Sequence, residues 1–485
     1  MTKKSRIIEN VKIEKIWFGW IWIATWKDGK KILITWWALP NMVADLKIVK
    51  NKSDYIKTQI YKIHNFWKNL SENICKHHMF FDDNKNFSTW CWWCKWQILP
   101  YEEQINLKEQ VVKDSFRWSD FFEKTYSWFV PSPKTFNYRN KMEFSFWKYI
   151  VKGEVLSSWS WWFHKQWMFS KIVDIENCLI AWNLINKVFL YIKNILKKSN
   201  LPVYDQMKHT WFFRHLVIRQ GFNTNEVLVN LSVATKYFDK NKKDFTLWQK
   251  LQEKLKDDNF IKKNVKSFVI TENNWLWDVV RWKDIKFYNL FWDGSINEYL
   301  LIDNVKIDFK ISAFSFFQTN TLWAQKLFWT AKSMLPEIKW NILDLYCWAW
   351  TIWLTLLKSW IWKKLLWVEI VEQAIEDAKY NAKLNNLQNK AKFIADKAEN
   401  INFNLENIDL IVVDPPRSWL HKNVINFLWN LKKQKNFKLL YISCNPVTMN
   451  RDLKLLQNYG FEIKNLKAVD MFPHTHHIEM IGILE

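Results

Sequence analysis

Glycine is close to missing from this chain: 7 residues among 485, where a globular protein ordinarily carries about 7% and uses it wherever the backbone must take positive φ. Long apolar runs are missing as well. No stretch of about 18 uncharged apolar residues occurs, which excludes a conventional membrane-spanning helix, and Met1 to Asn10 lacks the apolar centre of a secretory signal. These absences lead us to expect a cytoplasmic protein with no membrane partner. Cysteine is sparse, six in all, and in a reducing compartment so few suit catalysis or metal ligation better than disulfides. Acidic residues are outnumbered, 48 against 71 Lys and Arg, leaving a formal charge of +23 spread along the length. That balance favours a polyanionic partner, nucleic acid being the commonest; a lysine-rich codon bias would give the same number.

Tryptophan is in excess, with 36 residues. Many stand where a turn calls for glycine: the pairs Trp36-Trp37, Trp92-Trp93 and Trp161-Trp162, and the break Ser359-Trp360-Ile361-Trp362-Lys363. Tryptophan and glycine together come near the usual glycine share. We therefore read the gene as using UGA for glycine, translated here as tryptophan. The alternative, indoles stacking on bases, needs a few aromatics on one face rather than one at every turn. UGG codons at these positions would overturn the reading.

Residues 8–65 alternate apolar and polar side chains in short runs such as Val11-Lys12-Ile13-Glu14-Lys15-Ile16, predicting a small β-barrel of the OB type, a shape often used on RNA. Residues 66–300 begin with three cysteines in loop-rich sequence and continue as a mixed α+β central domain, with strand-like runs at Leu216 to Arg219 and Val227 to Leu231. From 301 to 485 strand and helix alternate. Apolar runs at Asn341 to Tyr346, Lys364 to Ile370, Lys392 to Ala395, Asp409 to Asp414 and Leu439 to Cys444 predict strands, and Val371 to Asn385, with Ala374, Ala378 and Ala382 four apart, predicts a helix. The alternation implies an α/β Rossmann-like domain whose parallel sheet binds ligands at the carboxyl ends of its strands.

Chemistry concentrates at those strand ends. After Asp344-Leu345-Tyr346-Cys347, the residues Trp348, Trp350 and Trp353 fall at the spacing G-x-G-x-x-G, where small residues let the backbone approach an adenosyl ligand at a helix N-terminus. Glu369, 25 residues after Asp344 at the next strand end, is placed to accept hydrogen bonds from ribose hydroxyls. Asp414-Pro415-Pro416-Arg417 fixes a carboxylate at a strand end, as a ligand-orienting group or as a plain turn. Ser443-Cys444-Asn445-Pro446 puts a thiol at the mouth of the sheet, and a thiolate is a strong nucleophile. Cys347 reads as a core cysteine. In the tail His474-Thr475-His476-His477-Ile478-Glu479 the carboxylate, flanked by apolar residues, suits a base; the three histidines leave metal binding open. Phe316-Phe317-Gln318-Thr319-Asn320 offers an amide before a helix and says little alone.

Taken in order, these motifs closely resemble the RNA uracil-C5 methyltransferase family, which makes 5-methyluridine in ribosomal and transfer RNA. Ile13-Glu14-Lys15-Ile16 and Ala38-Leu39-Pro40 resemble that family's TRAM domain, and Tyr138-Arg139-Asn140-Lys141-Met142 and Phe163-His164-Lys165 its central region, so the resemblance covers nearly the whole chain. It implies that Cys444 attacks carbon 6 of uracil and that Glu479 removes the proton from carbon 5. It implies also that Gln318, Tyr346, Glu369 and Asp414 contact S-adenosylmethionine. Lys397 departs from the family pattern, and nothing is carried over there.

Cys91-x-x-Cys94, with Cys75 upstream and Cys178 downstream, makes four soft ligands suited to a [4Fe–4S] cluster or zinc. Resemblance to the ribosomal-RNA branch implies the cluster. The 15 residues between Cys75 and Cys91 exceed the family's gap, so either Phe80 to Phe87 is an insertion or His77 or His78 replaces Cys75. The implied protein is a monomer acting on 23S rRNA. A transfer-RNA enzyme of the same family is the neighbouring reading, against which the TRAM-like segment and the cysteines argue. A non-catalytic RNA-binding module would lack Cys444 or Glu479, and a DNA cytosine methyltransferase usually has Pro where Ser443 stands.

Overall fold

The computed structural model describes residues 7–18, 21–26, 29–35, 38–65, 71, 75–78, 80–81, 87–88, 91, 93–151, 154–161, 164–165, 168–172, 175–205, 212–275, 286–336, 341–345, 354, 357–358, 364–396, 400, 407–415 and 420–485. Two compact units divide the chain: residues 1–132, 416–420 and 442–484 form the first, and residues 133–415, 421–441 and 485 the second. No helix among the described residues is long and apolar enough to cross a membrane.

In the first unit, six strands between Ile7 and Asn65 form one sheet. Period-two burial shows why: Trp22 and Ala24, then Ile32 and Ile34, point inward while their neighbours stay at least partly in solvent. Strand Val43–Asn51 pairs antiparallel with Tyr55–Asn65, and Lys31–Ile34 runs parallel to it. The unit continues through helix Tyr101–Ser115, and the far end of the chain returns to it as helix Pro446–Asn458 and the antiparallel strands Ile463–Val469 and Glu479–Leu484. Strand Tyr126–Val130 joins this pair in parallel. The helix Pro446–Asn458 ends at Gly460, whose φ of 85° is the left-handed turn that lets Phe461 N–H bond back to Leu456.

The second unit holds two main sheets, beside the two-stranded pairs His164–Lys165 with Met168–Ile172 and Ser295–Ile302 with Val305–Ser312. One runs from Glu154–Trp161 through Lys141–Val151, Phe213–Gln220, Val227–Val233 and Ser267–Glu272 to Lys286–Phe291, with helix Asn183–Lys197 packed on it and Phe144 stacked on Phe189 at 3.9 Å. The other is parallel, in the order Ala391–Ala395, Lys364–Glu369, Asn341–Leu345, Leu410–Val413 and Lys438–Ser443, paired through Tyr441. Strand order thus reverses beside Asn341–Leu345, where a doubly wound sheet opens a crevice for ligands. All five strands lie within a residue of the stretches that their apolar runs predict, and the predicted helix is Glu372–Leu384. That helix turns Ala378 and Ala382 inward, and Asn381 and Asn385 trade paired hydrogen bonds with the backbone of Lys310 and Asp308.

Among the described residues asparagine takes most left-handed positions: Asn10, Asn41, Asn137, Asn200, Asn225, Asn304 and Asn386 all have positive φ. Trp292 does too, at 56° and 66% exposed. An indole gains nothing in such a turn, as the glycine reading expects.

Candidate active site

Cys444 stands between the end of Lys438–Ser443 and the start of helix Pro446–Asn458. The turn is built locally. Asn445 caps the helix, its Oδ1 accepting from Val447 and Thr448 N–H at 3.0 and 3.2 Å, and Pro446 occupies the first turn, where a missing N–H costs nothing. Ser443 Oγ accepts from Asn445 N–H at 3.2 Å, fixing the chain on both sides of the half-buried thiol. The N-terminal end of a helix favours negative charge, which suits a thiolate just ahead of it. Glu479 opens its strand as the cross-strand partner of Val469, and the helix that follows Cys444 packs on that strand. His476 and His477 lie ring to ring at 4.2 Å before it.

The second unit carries the residues expected to hold the cofactor. Glu369 is 3% exposed at the end of its strand, its Oε1 accepting from Val371 N–H at 2.9 Å; burial pushes the carboxyl up. Asp414 follows Leu410–Val413, and burial pushes its carboxyl up to about 7. Gln318 is half-buried in the turn before helix Thr321–Ser333; Asn140 Nδ2 donates to its carbonyl at 2.9 Å, and Asn320 caps the helix through Trp323 N–H. Tyr346 and the Trp348, Trp350 and Trp353 positions lie outside the described residues.

Glu369 lines a cavity of about 230 Å³ with Phe314, Phe317, Ala374, Lys141 and Arg219. Sequence reasoning assigned no role to those two cations, which come from strands of a different sheet. Burial, then the charge of Arg219, pulls the Lys141 amine down to about 8, while the Arg219 guanidinium, itself lowered to about 10 by burial, donates to Ser315 carbonyl at 2.8 Å. The motif Tyr138 to Met142 was the available signal, as part of the resemblance only.

Cys75, Cys91 and Cys94 fall in the first unit and the buried Cys178 in the second. Cys91 N–H donates to His77 carbonyl at 2.8 Å, and His78 N–H to Cys75 carbonyl at 2.9 Å. Burial pushes the Cys75 thiol up and the His78 imidazole down to about 4. Both Cys178 backbone groups are taken by the Asn186 amide, at 2.9 and 3.0 Å. Among the described residues no three His, Cys, Asp or Glu side chains gather as a metal site.

The chain as a whole is similar to known proteins. Residues 100–485 match the family model described as tRNA (Uracil-5-)-methyltransferase. An uncharacterized RNA methyltransferase of Clostridium acetobutylicum is 31% identical over 474 residues, 98% of this chain and 96% of its own. Another, from Caldanaerobacter subterraneus subsp. tengcongensis, is 30% identical over 479 residues, 99% of this chain and 98% of its own. In fold, the chain is similar to the crystal structure of Pyrococcus abyssi tRNA (uracil-54, C5)-methyltransferase in complex with S-adenosyl-L-homocysteine, with TM-score 0.69 and 24% identity over 98% of this chain and 100% of that one.

Proposed function

The chain belongs to the tRNA (Uracil-5-)-methyltransferase family, and from that premise we propose that it methylates carbon 5 of a uracil in 23S rRNA through a covalent adduct on Cys444. It is an RNA methyltransferase that uses S-adenosylmethionine. The observation that carries the finer reading is the Cys444 turn: a thiol between a strand end and a capped helix N-terminus.

Uracil carbon 5 is a poor nucleophile until carbon 6 is saturated. The Cys444 thiolate adds to carbon 6, and the electron density this sends to carbon 5 takes the methyl group. Bound S-adenosylmethionine would supply that methyl as an electrophile, the broken C–S electron pair staying on sulfur as S-adenosylhomocysteine leaves. Glu479 then takes the proton from carbon 5, the C5=C6 bond re-forms, and the Cys444 sulfur leaves. Gln318, Tyr346, Glu369 and Asp414 are the proposed cofactor contacts, and the target base enters unpaired or flipped out.

Residues 8–65 serve in this proposal as a TRAM-like RNA-binding barrel, 66–300 as the cysteine-bearing and central RNA-binding region, and 301–485 as the methyltransferase domain. The protein acts in the cytoplasm as a monomer. The +23 charge supports an RNA partner, and the TRAM-like segment with the four-cysteine set supports the rRNA branch and its [4Fe–4S] cluster. The transfer-RNA reading has its own support in the substrate that the family description prints.

Anaerobic, glycine-restored protein given labelled S-adenosylmethionine with unmodified 23S rRNA or transfer RNA is expected to place 5-methyluridine in the rRNA. Label confined to transfer RNA would overturn the substrate and keep the chemistry. Iron and sulfide content of the same preparation decides between cluster, zinc and neither.

A pH dependence follows from Asp414. Its carboxyl, raised from 3.8 to about 7, holds its proton more tightly in the folded than in the unfolded chain, so the free protein loses stability as pH rises between those values. A cofactor donor that pairs with the carboxylate offsets this loss. S-adenosylmethionine is therefore expected to bind several-fold more tightly about one pH unit above the midpoint than one below it. Calorimetry should show the slope lost in Asp414→Asn; a slope kept there would remove Asp414 from the site.

A further inference from the structure

We infer that Lys108 and Asp470 are positioning residues for the proton-removal step, acting through the loop that leads into Glu479; this rests on Glu479 being the base of the proposed reaction. Helix Tyr101–Ser115 carries Tyr101, Gln104 and Lys108 at spacings of three and four, hence on one face. Gln104 and Lys108 have no exposed surface at all. Lys108 Nζ stands 2.6 Å from Asp470 Oδ1 and donates to Phe472 carbonyl at 3.1 Å. Tyr101 donates to Asp470 Oδ2 at 2.7 Å and accepts from Ser132 N–H at 2.6 Å. His474 N–H donates to Gln104 Oε1 at 2.8 Å, while the Gln104 amide donates to Leu99 carbonyl at 2.9 Å.

The segment so held is the loop of a hairpin. Val469 and Glu479 are cross-strand partners, so residues 470–478 close the turn and Glu479 is the first residue beyond it. His474 within it has a φ of 65°, crowded for a residue with a β-carbon, and its carbonyl accepts from Trp96 N–H at 3.0 Å. Backbone of that kind persists only where its surroundings over-determine it. Apolar side chains would fill the same space at less desolvation cost but would fix no register. A buried ion pair whose remaining groups are also bonded defines one geometry.

The same helix reaches the nucleophile's side. It packs on helix Pro446–Asn458, where Asn450 Nδ2 donates to Ser115 carbonyl at 2.8 Å. One helix thus braces the element behind Cys444 and the loop before Glu479.

Proton removal follows methyl transfer. Glu479 takes the carbon-5 proton, the C–H electron pair becomes the C5=C6 bond, and sulfur departs from carbon 6 as thiolate. A base held off line leaves RNA attached through the C6–S bond, and the earlier methyl transfer proceeds.

The test uses Lys108→Met/Asp470→Asn, which leaves neither charge buried alone, and Tyr101→Phe, which removes hydrogen bonds only. Single-turnover methyl incorporation, denaturing gels for protein-bound RNA, and kcat are read for both, with Glu479→Gln beside them. The expected result is first-turnover incorporation near that of the parent, accumulated covalent RNA, and kcat lower by about tenfold or more. Incorporation and release falling together with no covalent band, while Glu479→Gln gives one, overturns the inference and leaves the base assignment standing. No band in Glu479→Gln overturns the base assignment and this inference with it. If the double variant does not fold, Tyr101→Phe decides alone.

Discussion

Cys444→Ala is expected to lower methyl transfer by at least ~10⁴-fold while affinity for RNA and S-adenosylmethionine stays within about threefold. The loss is large because the thiolate is not one contribution among several. Without addition at carbon 6, carbon 5 has no electron density to offer, and no residual positioning of the two substrates replaces a bond that does not form. Binding is expected to be spared because Gln318, Glu369 and Asp414, the proposed cofactor contacts, lie in the second unit, where Glu369 keeps Val371 N–H and Gln318 keeps Asn140. The variant is measured by single-turnover transfer of labelled methyl, with a denaturing gel for covalent RNA. Retention of more than about a tenth of the rate would show that addition does not pass through this thiol.

Restoring glycine at Trp348, Trp350 and Trp353 is expected to tighten S-adenosylmethionine binding by roughly 100-fold or more over the chain as written. The turn follows strand Asn341–Leu345, beside the point where strand order reverses, and its spacing G-x-G-x-x-G works only if backbone amides can approach the ligand. If that spacing holds an adenosyl ligand, indoles at Trp348 and Trp350 are expected to fill its pocket. Trp292 makes the same case from another position, in a left-handed turn that favours glycine. Trp22, Trp96, Trp323 and Trp367 are each wholly or nearly wholly buried, so the substitution is not to be extended to every indole without codon evidence. Calorimetry on both chains, with the coding sequence in hand, decides it. Equal affinities would mean that the turn tolerates tryptophan and that the glycine reading fails at this site.

Local pattern carried a large part of this protein. Apolar runs of four to seven residues located all five parallel strands, and alanines four apart located the helix Glu372–Leu384, because strand and helix periodicities are properties of neighbours in sequence. Cys444 was legible for the same reason: Asn-Pro after a strand-like run marks a capped turn whatever else surrounds it. Strand order and the division of the chain were not legible. They depend on which distant segments bury each other, and a first unit assembled from residues 1–132 and 442–484 leaves no mark in any window of sequence. The cavity beside Glu369 draws Lys141 and Arg219 from another sheet, and Lys108 meets Asp470 across 362 positions. A lysine in a helix reads as a solvated charge until the fold removes it from water. Periodicity and motif order, both short-range, sufficed for the five parallel strands, the helix Glu372–Leu384 and the family. Which polar groups would be buried together was settled by long-range packing alone.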